Sequence, residues 1–122
     1  MGANALRDVP LCFLPGGIMH IIIWEFTVRE EDIQEFVSAY GSNGNWVNLF
    51  RRAEGFLGTE LLRSSHQANV FLTVDRWESA ACFDIFQERF GAEYKCLDTQ
   101  LEGYTLAEKK VGVFSEVPKD ES

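Results

Sequence analysis

The sequence predicts an α+β fold, a ferredoxin-like β-α-β-β-α-β domain in which two helices cover one face of an antiparallel four-stranded sheet. Three observations carry that prediction. His20 to Val28 is a β-branched and aromatic run of strand length. The stretch from Gly55 to Ser79 reads as a hairpin, two Val/Leu/Phe/Thr-rich runs split by the polar linker Ser64 to Asn69. Beyond it, Phe83, Phe86, Phe90, Tyr94, Leu97 and Leu101 recur at helical spacing.

Each element follows in order. Residues 1–18 lack periodicity and run up to the breaker Pro15-Gly16-Gly17, so they form an N-terminal extension. The near-continuous apolarity of His20 to Val28 marks a central strand covered on both faces. Arg29-Glu30-Glu31-Asp32 then places carboxylates in the first turn of a helix, where the helix dipole favours them, and Ile33, Phe36, Val37 and Tyr40 line one side. Gly41 to Asn45 interrupts this helix, Trp46, Leu49 and Phe50 resume its apolar face, and Gly55 ends it. In the hairpin, opposing Arg63 to Val70 pairs Leu61 with Leu72 and Thr59 with Val74 on one face. Glu60 with Thr73, Gly58 with Asp75 and Phe56 with Trp77 fall on the other. Ser79 is the expected N-cap of the second helix, Gly91 its expected bend and Gly103 its end. Glu108 to Ser115 is the last strand, and residues 116–122 form a polar tail; the domain spans 19–115.

Composition narrows the function. The chain has 122 residues, 11 basic and 19 acidic, for a formal charge of −8. That field repels phosphate-rich partners, so nucleic acid is not expected. No run is long enough to span a bilayer, and Cys12, Cys82 and Cys96 show no metal-ligand spacing. A reduced, cytoplasmic setting without membrane association fits best. Cys82 and Cys96 read as small buried side chains. His20 and His66 have no nearby ligand pair in sequence, so no metal is expected.

Under the hairpin register above, Glu60 and Asp75 share an enclosed sheet face, and carboxylates held this way have raised pKa values suited to proton abstraction. The competing reading is that they pair with Arg63, Arg76 or a second subunit's arginine as interface contacts. Trp24, Tyr40, Phe71, Trp77, Phe86 and Tyr94 are the aromatic candidates to wall a pocket for a flat substrate. The sheet face away from the helices must also be buried, which calls for a second copy of the chain and a homodimer.

Gly55-Phe56-Leu57-Gly58 followed by Glu60-Leu61-Leu62-Arg63, the Trp77-Glu78-Ser79 junction and Gly112 in the final strand together resemble the antibiotic biosynthesis monooxygenase superfamily of dimeric α/β-barrel proteins. The resemblance covers about residues 19–115. It implies a cofactor-independent monooxygenase that oxidises an aromatic or enolisable small molecule, with Asp75 or Glu60 as base and the aromatics positioning the ring. A non-catalytic dimeric binding or structural module is the alternative within the same fold. The heme-degrading branch is disfavoured. Its first-strand Asn is replaced here by Trp24 and Glu25, and its helix-two Trp and His are missing.

Overall fold

The computed structural model describes residues 18–118. The extension therefore lies outside the described residues except for Ile18, as does the end of the tail from residue 119. The elements are β1 (His20–Val28), α1 (Ile33–Tyr40), α2 (Asn45–Phe50), β2 (Phe56–Arg63), β3 (Val70–Trp77), α3 (Ala80–Leu101) and β4 (Thr105–Phe114), with 3-10 turns at Glu30–Asp32 and Glu102–Tyr104. The four strands form one sheet in the order β2-β3-β1-β4, every neighbouring pair antiparallel. This is the expected α+β, ferredoxin-like plan. β4 starts three residues before Glu108, because the Glu102–Tyr104 turn delivers the chain to the sheet edge earlier than its apolar pattern indicates.

The helices pack on the face bearing Ile22, Trp24, Phe26 and Val28 of β1 and Phe71, Thr73, Asp75 and Trp77 of β3. Val28, Phe36, Trp77 and Phe86 are fully enclosed there, and Cys82 joins the same core. Cys96, expected to be buried, is exposed on α3. The Ser79 hydroxyl accepts the Cys82 N–H at 3.2 Å and so caps α3, a contact typically worth about 1 kcal/mol. α3 breaks its helical geometry at Phe90 (φ −119°, ψ 20°), one residue before the glycine expected to bend it.

Two glycines shape what the site will hold. Gly44 lies where α1 turns into α2, and a Cβ there would overlap the carbonyl oxygens of Ser38 and Ala39. That close approach swings Trp46 back against Tyr40, their ring centroids 6.2 Å apart. Gly58 has φ +150°, a conformation side chains rarely adopt, and it follows a bulge in β2. Phe56 pairs with Trp77 as the sequence register predicts, but Leu57 is passed over and Gly58 pairs with Arg76. Every later pair therefore slips by one residue: Thr59 with Asp75, Glu60 with Val74, Leu61 with Thr73. A slip of one residue exchanges the faces of a strand. Glu60 thus leaves the enclosed face, and Thr59 and Leu61 take its place there.

Candidate active site

Between the sheet and the helices lies a cavity of about 130 Å³. All four strands build its floor and one edge: Trp24 and Phe26 from β1, Thr59 from β2, Thr73 and Asp75 from β3, Glu108 from β4. Tyr40 of α1, Trp46 and Phe50 of α2, and Tyr94 and Asp98 of α3 close it from above. The aromatic wall is continuous, since Phe26 meets Tyr40 at 5.0 Å and Trp46 meets Tyr94 at 4.9 Å between ring centroids.

Of the sequence candidates, Asp75, Trp24, Tyr40 and Tyr94 come together here. The others do not. Glu60 is exposed on the opposite sheet face and pairs at 2.6 Å with Arg76, one of the arginines that the competing reading offered it. Phe71, Trp77 and Phe86 are at most 2 % exposed and pack in the core instead of lining the cavity. Their spacing is that of core-facing positions, and position along β3 separates them from Asp75: Phe71 lies under Phe36, and Trp77 lies among Phe50, Phe56 and Phe86. The cavity also recruits Thr59, Asp98 and Glu108, which sequence reading did not select. Only the bulge reveals Thr59. Asp98 does carry a legible signal, since it lies one turn beyond Tyr94 on α3.

The electrostatics follow from burial. Asp75 is 9 % exposed, and enclosure raises its carboxyl from 3.8 to about 6, against the opposing pull of a 2.7 Å hydrogen bond donated by the Thr59 hydroxyl to Oδ1. Thr59 is its one hydrogen-bond partner among the described residues. Glu108 is shifted upward by burial and then by Asp98 and Glu102. Tyr94 is pushed up to about 12 by burial and the carboxylates of Asp98, Asp75 and Glu108. Tyr40 also reaches about 12, chiefly through burial. At neutral pH both phenols are therefore neutral donors, and Asp75 is the group in the cavity poised to exchange a proton. The indole N–H of Trp46 is buried without an acceptor; it lies near enough to the Tyr40 hydroxyl to favour its phenolate slightly, yet reaches no hydrogen-bond geometry.

A family model for antibiotic biosynthesis monooxygenases matches residues 19–93. The chain belongs to this family. Among solved structures it is similar to SnoaB from Streptomyces nogalater, a cofactor-independent oxygenase, at 19% identity and TM-score 0.63, covering 84% of this chain and 97% of that one. It is also similar to a Bordetella bronchiseptica protein provisionally assigned to the same family (18% identity, TM-score 0.67, 83% and 99% covered) and to a conserved Methanosarcina mazei Go1 protein (12%, 0.62, 82% and 94%). At these identities the likeness is one of fold. No curated relative matches the chain. In this member of the antibiotic biosynthesis monooxygenase family the cavity lies on the helix-covered side of the sheet. No helix among the described residues is long and apolar enough to cross a membrane.

Proposed function

We propose that the chain is a cofactor-independent monooxygenase that oxidises a small aromatic or enolisable molecule in the cavity over Asp75. One observation carries the reading: a carboxylate poised near pH 6 lies in an open, aromatic-walled cavity rather than in an ion pair. Family membership and the fold shared with SnoaB support it.

In the proposed reaction Asp75 takes a proton from the substrate's hydroxyl or activated carbon. The resulting anion gives one electron to dioxygen, and the radical pair closes a carbon–oxygen bond. Asp75 returns its proton to the peroxide anion, and loss of water from the hydroperoxide then leaves a carbonyl, so that one oxygen atom enters the product and the other departs in water. The protein's part is to supply the base, the neutral donors Tyr40, Tyr94 and Trp46, and a dry wall. Thr59 holds Asp75 in position.

The test is oxygen uptake with a panel of hydroquinones and anthrones. Wild type and Glu60→Gln should consume oxygen, whereas Asp75→Asn should not. Uptake by Asp75→Asn at the wild-type rate, or none by wild type on any compound, defeats the assignment.

The same reading includes a homodimer. The described helices all pack on one side of the sheet. The other side presents Ile21, Ile23, Leu62, Leu72 and Phe114, with Leu62 44 % and Phe114 45 % exposed. A second copy of this chain is the proposed cover. Light scattering should give twice the chain mass, and Leu62→Glu should lower it; a monomeric wild type rejects the dimer.

A further inference from the structure

The cavity's charge is at odds with a bare phenolate or an organic acid as its occupant. Among the described residues three carboxylates line it, Asp75 in the floor and Asp98 and Glu108 toward solvent, and no lysine or arginine does. Once Asp75 has taken the substrate's proton, the anion left behind is still repelled by Asp98 and Glu108. Asp98 and Glu108 line the same cavity as Tyr94 and the rest of the aromatic wall. Among the described residues no three His, Cys, Asp or Glu side chains are arranged to hold a metal ion. The charge these groups suit is therefore a larger, softer one that ring faces can also stabilise.

Size and polarity add two constraints. A volume of about 130 Å³ is close to the ~150 Å³ that encloses a single benzene ring. Trp46, 8 % exposed, contributes a buried N–H that still lacks an acceptor. A one-ring ligand with a hydroxyl or carbonyl oxygen inside and a cationic arm outside answers each of these features.

We infer that the occupant of this cavity is a single-ring phenol bearing a protonated amine, its ring held among Trp24, Tyr40, Trp46 and Tyr94 and its ammonium held by Asp98 and Glu108. The inference rests on the cavity's being the substrate site and deepens it. The ammonium offsets the negative field of the site, so that Asp75 can remove the phenolic proton without leaving an uncompensated charge.

Binding to the full-length protein is measured calorimetrically at low ionic strength with three matched probes: tyramine (cationic), 4-ethylphenol (neutral) and 4-hydroxyphenylacetate (anionic). Tyramine should bind at least tenfold more tightly than 4-ethylphenol, and 4-hydroxyphenylacetate should show no saturable binding. In the Asp98→Asn, Glu108→Gln double variant tyramine should fall to the affinity of 4-ethylphenol, whose own affinity should persist and so report an intact cavity. The inference is overturned if 4-ethylphenol or 4-hydroxyphenylacetate binds as well as tyramine, if the preference survives in the double variant, or if no probe binds. A tyramine preference without any oxygen uptake defeats the oxygenase reading alone. Uptake with neutral phenols and no charge preference defeats this inference alone.

Discussion

Replacing Asp75 by Asn should make the protein more stable at neutral pH while removing its activity. In the folded chain this carboxyl ionises near 6 rather than 3.8. Between those values the native state holds a proton that the unfolded chain has released, so stability falls as pH rises through that window. Below 3.8 both states are protonated and the group costs nothing. Above 6 the penalty is complete, and at ~1.4 kcal/mol per tenfold change in proton affinity it amounts to roughly 3 kcal/mol. Asn keeps an oxygen that can accept the Thr59 hydroxyl and sheds the charge, at the cost of an amide N–H2 facing the cavity. The expected net gain is roughly 1–3 kcal/mol at pH 8, shrinking to about zero at pH 4. Urea denaturation of both proteins at pH 4, 6 and 8 measures it. A difference that does not change with pH, or a variant less stable than wild type at pH 8, refutes the argument that Asp75 is ionised at the expense of the fold. A gain in stability paired with loss of oxygen uptake is the pattern expected of a strained functional group.

Further outcomes follow from the same geometry. Thr59→Val removes the donor that restrains Asp75, so the acid limb of the pH profile for oxygen uptake should move to higher pH, while Thr59→Ser should restore it. Glu60→Gln breaks only an exposed pair with Arg76 and should change stability by less than about 0.5 kcal/mol, read by thermal unfolding, with oxygen uptake unaltered. Gly58→Ala meets no atom within 4 Å, so its cost is purely conformational, about 1–3 kcal/mol in urea denaturation.

The fold was legible because its signals are local and agree with one another. The run His20 to Val28 matches β1 residue for residue, and Ser79 caps α3 as its place before the apolar stripe indicates. The site was legible where polar or amphipathic residues interrupt apolar patterns. Asp75 breaks a buried strand, and Tyr40 and Tyr94 put hydroxyl-bearing rings on helix faces that turn to the sheet. Glu60 misled because strand alternation assumes an unbroken ladder, and nothing in the letters Phe56-Leu57-Gly58 states which residue is passed over. Phe71, Trp77 and Phe86 were indistinguishable from pocket residues by composition. Only depth, which depends on how α2 and α3 close over the sheet, separates a wall from a core.

The bulge at Leu57 makes the chemistry of this strand a matter of counting rather than spelling. Residues 59 to 63 face the cavity or turn away according to whether one residue upstream is paired or passed over, whatever their identities. Between relatives at 12–19% identity, two strands can therefore align letter for letter and yet show opposite sides to the substrate. Site residues on β2 transfer between such proteins only when the parity of the strand is matched first. Straightening the bulge so that Leu57 pairs with Arg76 would be enough to turn the Thr59 hydroxyl away and bring the Glu60 carboxylate opposite Thr73 on the cavity face, with no substitution at all.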